Sequence, residues 1–473
     1  MRTVALDVHK RFAEIAVHEN GGLRRLGRIE TGQLRAFAES LGPEDHVVLE
    51  STSMTWAIAE LLSEHAGRVT VSNPMRTRAI ASAKVKTDKI DAKVLAQLGA
   101  AEFLPEVWAP DEFTRALRRR IAHRSSLVRQ RTRLRNQIHA VLARNLIEAP
   151  FTDVFGRGGR RWLAEVQLPA HEREQVDSNL RLHDALDGEI ELVERQLAEQ
   201  ALARADVRRL MTIPGIGAIT ALAMVAVIGD ITRFPSPRQL VGYLGLDPRV
   251  RQSGEKKARH GHISHEGQAH ARGLLVEAAH TAIRTPGPLR AFHTRLASRR
   301  GKQIALCATA RKLTVLVWHL LTKDEDYRFG APTITQRKLG TLQRKAGDAG
   351  PRISLAGEAK RKTLERRFLQ EAERNYQNYV AFTARRGSRG AGAATGDTTP
   401  MAVNAADDAR QAPQSPDACS SRSGSPAPGG ILAPSPWRFH PYSRIGTAGP
   451  CFVMRARFLR SSVAAAVEGS SCS

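Results

Sequence analysis

"RTVALDVHKRFAEIAVHEN", residues 2–20, decides how the N-terminal part of the chain folds. "RTVALDVHK" alternates into an apolar strand, and "FAEIAVHEN" follows after a short turn as a second. Working outward, "LRRLGRIET" can return as a third strand, so the three form a meander joined by tight connections. Helical and extended patterns then alternate. "GQLRAFAESL" reads as a helix, "HVVLES" as a buried strand, "MTWAIAELLSEHA" as an amphipathic helix and "RVTVSN" as a last strand. "PMRTRAIASA" reads as a helix begun by Pro74. Three strands followed by α-β-α-β-α predict a mixed sheet with helices on both faces.

In that arrangement the first strand is central and carries Asp7, where a carboxylate is costly unless paired or metal-bound. The strand "HVVLE" ends in Glu50, and parallel neighbours expose their last residues at one edge. Further on, "AKVKTDKIDAKVLAQL", residues 83–98, sets Asp88 and Asp91 three apart in a helical run, so both carboxylates share a helix face. Singly, each acid also reads as a solvated residue, with Lys89 and Lys93 as surface partners. Together the four acids point to a metal site. Two Mg²⁺ ions clamped by such a cluster would suit in-line displacement at phosphorus.

Composition narrows the partners. The 473-residue chain has room for two or three domains and carries a formal net charge of +25. With a pI of about 10.8, polyphosphate is the expected partner. No run of about 18 apolar residues is present, and "MRTVALDVHK" lacks the apolar core of a signal peptide, so the chain reads as cytoplasmic with no membrane partner. Cys307, Cys419, Cys451 and Cys472 form no CxxC pair and support neither a zinc site nor a disulfide framework.

"FTRALRRRIAHRSSLVRQRTRLRNQIHAVLARNL" places Leu117, Ile121, Leu127, Leu134, Ile138 and Leu142 along one side of a long helix dense in arginine. The more acidic "NLRLHDALDGEIELVERQLAEQAL" supplies a partner, as an antiparallel pair or a coiled coil. Pairing with those acids accounts for some arginines; phosphate contact is expected for the remainder, with Arg118, Arg120, Arg124, Arg131 and Arg135 as candidates. "IPGIGAITALAMVAVIGDITRF" looks like a helix-hairpin-helix, in which Gly215 and Gly217 let backbone N–H groups approach a phosphate; a plain tight turn is the alternative. In "RQSGEKKARHGHISHEG", Ser253 stands beside Gly254 with Arg251, Lys256, Lys257, Arg259 and His260 nearby. Cationic donors there would offset the charge that builds on a phosphoryl group attacked by a serine. A solvated loop serine is the plainer reading. Ser264 competes but reads as the N-cap of the following helix. His260, His262, His265 and His270 lack a matching ligand pair for zinc.

"ALDVHK", "VVLES", "VSNPMRTRA", "KTDKIDAKVLA" and the two motif stretches beyond residue 208 closely resemble the DEDD transposases of the insertion-sequence family one-hundred-and-ten, over residues 1 to about 325. The resemblance implies an RNase H-like (RuvC-like) first domain whose tetrad falls on Asp7, Glu50, Asp88 and Asp91, and a serine nucleophile at Ser253 in a mainly helical second domain. It further implies DNA as substrate, an RNA guide from the element's non-coding end, a nucleoid setting, and an oligomer, a tetramer built from dimers, in which acids and serine meet. Lys10 and Lys86, beside the acid motifs, are expected nucleic-acid contacts. Where the family often has Gly three residues after the Glu, this chain has Ser53, which puts the local turn in question.

The expected architecture is therefore α/β plus α: an acid-bearing domain over 1–110, a basic coiled-coil segment over 111–205, the serine domain over 206–325, a basic helical appendage over 326–385 and a low-complexity disordered tail over 386–473. Two rival readings are a junction-resolving nuclease in which the acids act without the serine, and a non-catalytic nucleic-acid-binding relic.

Overall fold

The computed structural model describes residues 2–80, 87–255, 258–348 and 358–390, and the chain divides into two compact units, Met1–Arg115 and Ala116–Ser473. Lys86, Lys256, Lys257 and the tail beyond residue 390 lie outside the described residues.

Unit 1 is the meander followed by crossovers. Its elements are β1 (Arg2–Val8), β2 (Phe12–Glu19), β3 (Gly22–Glu30), α1 (Leu34–Glu39), β4 (Asp45–Glu50), α2 (Thr55–Ser63), β5 (Arg68–Ser72), α3 (Pro74–Ile80) and α4 (Asp88–Ala100). The five-stranded sheet runs β3-β2-β1-β4-β5, so β1 is interior, as expected. It is antiparallel to β2 and parallel to β4, a mixed sheet consistent with the RNase H-like expectation. Strand periodicity sorts the faces. Val4, Leu6, Val8, Ala13, Ile15, Val17, Val47 and Leu49 pack with Leu34, Ala38, Ile58 and Leu62 of α1 and α2. The opposite face, Ala5, Ala16 and Val48, receives Ala92, Leu95 and Ala96 of α4.

Small residues decide how near α4 comes. A Cβ added at Gly99 would lie 2.9 Å from both Thr3 Cγ2 and Val48 Cγ1, so only glycine admits this approach without displacing them. The turn after Glu50 closes without glycine. Thr55 Oγ1, fully buried, accepts from Thr52 N at 2.5 Å and donates to Thr52 O at 3.0 Å, and Ser53 lies exposed in between.

Unit 2 contains most of α5 (Glu112–Arg144), then α6 (Arg157–Glu165), α7 (Ala170–Ala203), α8 (Ala205–Met211), α9 (Ala218–Ile228), α10 (Pro237–Tyr243), the ribbon β6 (Pro248–Arg251) and β7 (Arg259–Ile263), α11 (Ala269–Ala282), α12 (Pro288–Arg300), α13 (Lys302–Lys323), α14 (Pro332–Lys345) and α15 (Glu358–Gly390). Helices α5 and α7 run antiparallel, because Arg124 meets Glu194, Arg131 meets Asp187 and Arg144 meets Glu172. Leu117, Ile121 and Leu127 cluster with Ile190, Val193 and Leu197 in the main core, while Ile138, Val141 and Leu142 pack with Val176. Helix α13 is long and apolar enough to cross a membrane by length and composition, with a mean hydropathy of 1.4. Its Ala305, Ala310, Leu313 and Val317 are instead buried in the main core or against it. The segment expected as an appendage is packed too: Leu342 of α14 belongs to that core, and Glu373 of α15 accepts from Arg290 Nε of α12 at 2.9 Å.

Candidate active site

Asp7 lies on the α4 face of the sheet, two residues past Ala5 and two before His9. Leu6 pairs with Leu49 across the parallel β1/β4 ladder, so Asp7 and Glu50, next along their strands, are side by side. Helix α4 begins at Asp88, with Thr87 as N-cap accepting from Ile90 N at 3.4 Å. Asp88 and Asp91 both fall in its first turn, where the helix dipole favours negative charge. The close seat of α4 brings this turn to the carboxyl edge of β1.

The result is a compact group. Ligand atoms of Asp7, His9 and Asp88 all lie within 4.8 Å of one another. His9 Nε2 is 3.2 Å from Asp7 Oδ2 and 3.5 Å from Asp88 Oδ1. Burial pushes the Asp7 carboxyl above its ordinary range, the charges of Asp91 and Asp88 push it the same way, and His9 opposes them. Glu50 and Asp91 stand beside this group rather than within it. Lys10 is exposed in the turn after β1.

Two residues not singled out in the sequence complete the edge. Glu14 of β2 stands directly opposite Asp7, and Arg28 of β3 stands directly opposite Glu14. Glu14 is fully buried and forms an ion pair with Arg25. Arg28 Nη2 lies 3.9 Å from Asp88 Oδ2. The signal was present in "FAEIAV": an acid inside an apolar strand is costly unless paired, the same reasoning that singled out Asp7.

Ser253 and Ser264 separate clearly. Ser253 is exposed in the turn between β6 and β7, followed by Gly254 at φ +57°. Arg251 and Arg259 are exposed and directly opposed on the ribbon, a like-charged pair that is unfavourable without an anion. Ser264 is only 9% exposed, and its Oγ lies 2.9 Å from Asp247 Oδ1. It does not cap α11, which starts at Ala269 after Gln268. His270 faces Ser125 Oγ at 3.1 Å, and burial together with Arg129 and Arg124 pushes its imidazole below the ordinary value. Among the described residues, neither His262, His265 nor His270 joins a group that could hold a metal.

The arginine helix is engaged internally. Arg124 Nε donates to Glu194 Oε1 at 2.9 Å, and Arg131 pairs with Asp187 at 2.5 Å. Arg118 donates to the carbonyls of Ala226 and Val227 at 2.7 and 2.9 Å, at the end of α9. Arg135 donates to His183 Nε2 at 2.8 Å and lies over the Phe155 ring. These four side chains are occupied within the unit, whereas Arg120 is partly exposed and has no ion pair among the described residues. The hairpin glycines differ as well. A Cβ on Gly215, at φ +86°, would lie 2.1 Å from Ala278 O, so packing on α11 already requires glycine there. Gly217 caps α9 with open space around it. Lys338 Nζ holds the loop by donating to the carbonyls of Met211, Ile213 and Ile216 at 2.7–3.0 Å.

Comparison with known proteins converges on one group. A DEDD transposase family model matches residues 4–146, and the model described as "Transposase IS116/IS110/IS902 family" matches residues 207–294. The chain is 31% identical over 260 residues to the transposase for insertion sequence element IS1111A of Coxiella burnetii, covering 52% of this chain and 69% of that one. It is 28% identical over 331 residues to the transposase for element IS1328 of Yersinia enterocolitica, covering 68% and 96%. A pilin gene-inverting protein of Moraxella lacunata is 27% identical over 293 residues, covering 60% and 81%. The chain belongs to the IS116/IS110/IS902 family of transposases, enzymes that cut and rejoin DNA.

Proposed function

We propose that this transposase acts on the ends of an insertion sequence through two groups of residues: Asp7, Glu50, Asp88 and Asp91 as a divalent-metal site suited to Mg²⁺, and Ser253 as the nucleophile. The observation that carries the metal reading is the convergence of Asp7, His9 and Asp88 within 4.8 Å at the carboxyl end of β1. The donors are mostly hard oxygens, and the raised Asp7 carboxyl is relieved by a nearby cation. A divalent ion held there would supply charge neutralisation at the phosphoryl oxygens and activation of the attacking oxygen. Asp88 and Asp91 would hold it from one helix turn, and His9, 3.2 Å from Asp7 Oδ2, would orient that carboxylate.

Exposure and cationic surroundings support Ser253. Its Oγ would form the bond to phosphorus as the bond to a sugar oxygen breaks, the hydroxyl proton passing by way of solvent to that leaving oxygen, which keeps the phosphodiester energy for rejoining; Arg251 and Arg259 would face the same phosphate. The net charge of +25 suits DNA together with a guide transcript from the element's end. Arg120, the Gly217 end of α9 and the ribbon are the proposed backbone contacts, and an oligomer brings acids and serine of different copies together.

The test is a denaturing gel of the full chain incubated with Mg²⁺, the element-end transcript and labelled DNA carrying the element junction. A DNA–protein adduct that disappears in Ser253→Ala is expected. Free cleaved DNA without an adduct would remove Ser253 from the mechanism and leave a metal-dependent nuclease of the resolvase kind. Absence of Mg²⁺-dependent cleavage would leave a binding protein.

A further inference from the structure

A phosphodiester approaching the acid edge meets the carboxylates of Asp7, Glu50, Asp88 and Asp91, which repel its charge. A fixed cationic donor beside any ion would offset part of that repulsion. Arg28 is placed to be one. Its guanidinium carbon lies 3.6 Å from the centroid of the Phe12 ring, a stacked position that fixes the plane of the group. Its Nε faces Glu14 Oε2 at 3.5 Å. Glu14 is fully buried, its other oxygen is taken by Arg25, and Oε2 accepts no hydrogen bond among the described residues. That carboxylate therefore attracts Arg28 from the interior side of the sheet as an ion-pair partner.

The remaining edge of the guanidinium points toward the acids, with Nη2 3.9 Å from Asp88 Oδ2, too long for a hydrogen bond. Arg28 is 53% exposed, so this edge is open to a ligand. A planar fork stacked on a ring and paired with a buried carboxylate has less rotamer freedom to lose on binding, which suits bidentate recognition of phosphate. The cross-strand row Arg28, Glu14, Asp7 sets this placement through register alone.

We propose that Arg28 contacts the scissile phosphate of the DNA at the acid site, with Glu14 and Phe12 as its positioning residues. The proposal rests on the reading of Asp7 and Asp88 as the cleavage centre. Asp88 has no other arginine among its ion pairs in the described residues, so the alternative role for Arg28 is a counter-charge that an incoming cation displaces.

The full chain is assayed for single-turnover cleavage of the element-junction DNA, for equilibrium binding of that DNA in Ca²⁺ by fluorescence anisotropy, and for Mg²⁺-dependent thermal stabilisation. Arg28→Ala is expected to slow cleavage by on the order of 100-fold while leaving the Mg²⁺ midpoint unchanged. Arg28→Lys restores part of the rate, since it keeps the charge and loses the fork. Glu14→Gln and Phe12→Leu give smaller losses of the same kind at unchanged Mg²⁺ midpoint. Full cleavage in Arg28→Ala, or an Mg²⁺ midpoint shifted to lower concentration with cleavage retained, would overturn the proposal in favour of the counter-charge. A cleavage loss accompanied by a weakened Mg²⁺ midpoint overturns it as well, because Arg28 would then act through the metal ligands. Asp88→Asn serves as the control: cleavage surviving there defeats the acid-site reading itself, whereas its loss in Asp88→Asn with full activity in Arg28→Ala defeats only the role of Arg28.

Discussion

The acid edge of unit 1 and the arginine helix of unit 2 are both dense in charge, yet they end in opposite states. Along α5 and α7 opposite charges alternate in register, and Arg124, Arg131 and Arg144 each find a carboxylate on the facing helix. At the end of β1 the acids outnumber the cations, and Asp7 is driven upward by burial and by Asp91 and Asp88 even with His9 opposing them. Charge that is neutralised across an interface staples two elements together; like charge gathered on one edge stores an affinity for something that is not part of the chain. Composition cannot distinguish these cases, because both consist of the same residue types.

The sharpest way to break the comparison is to make the same substitution in both places. Asp91→Asn at the acid edge is expected to reduce Mg²⁺-dependent strand cleavage by on the order of a thousandfold, the several kcal/mol that metal-borne charge stabilisation supplies. Asp187→Asn in the helical pair removes the partner of Arg131 and is expected to lower stability by about 1 kcal/mol or less, with cleavage retained. Denaturant titration and single-turnover kinetics of both variants check this. Equal effects on cleavage would show that the helical pair is also part of the catalytic machinery.

A smaller effect sharpens the acid side. Because the folded carboxyl of Asp7 is raised, the native state holds its proton more tightly than the unfolded chain, so its contribution favours folding at low pH and is lost as pH rises through the raised value. At neutral pH the ionised group therefore opposes folding of the metal-free chain. Asp7→Asn is expected to raise the melting temperature in chelator and, on the proposed metal site, to remove the stabilisation by Mg²⁺ expected of the parent chain. A melting temperature in chelator that falls on this substitution would mean that Asp7 is held by a structural partner.

The smallest effect concerns a cation buried without a carboxylate. Burial pushes Lys338 down to about 8 from its ordinary 10.5. Between those values the unfolded chain keeps a proton that the folded chain has released, so stability contributed by this group rises with pH across that window. Stability measured from pH 7.5 to 10 should show this slope in the parent chain and a shallower one in Lys338→Met. An unchanged slope would place the titration elsewhere.

Much of unit 1 was legible because strand periodicity has only two phases. Alternation in "RTVALDVHK" puts Asp7 on the face opposite Val4, Leu6 and Val8, and the order of elements then makes β1 interior. The same reasoning applied to Glu14 would have found the fifth acid, which went unread because its partners, Arg25 and Arg28, come from a third strand. In unit 2 the helical period located α5 and α7 but left open which arginines face the partner. Arg118 illustrates the limit: it donates to carbonyls at the end of α9, more than a hundred residues away. Gly215 is a second case, since its residue type is required by Ala278 O on α11 as well as by the turn.

By itself the sequence determined the element order, the interior place of β1, the gathering of acids at its end and the family, because these follow from local periodicity and from motifs along the chain. Only the tertiary structure decided that Arg28 and Glu14 share that edge, that Arg124 and Arg131 are spent on α7, and that Ser253 is exposed while Ser264 is bound to Asp247. The physical reason is that a charged side chain acts according to what it meets across space. Residues distant in sequence set that through strand register and helix phase.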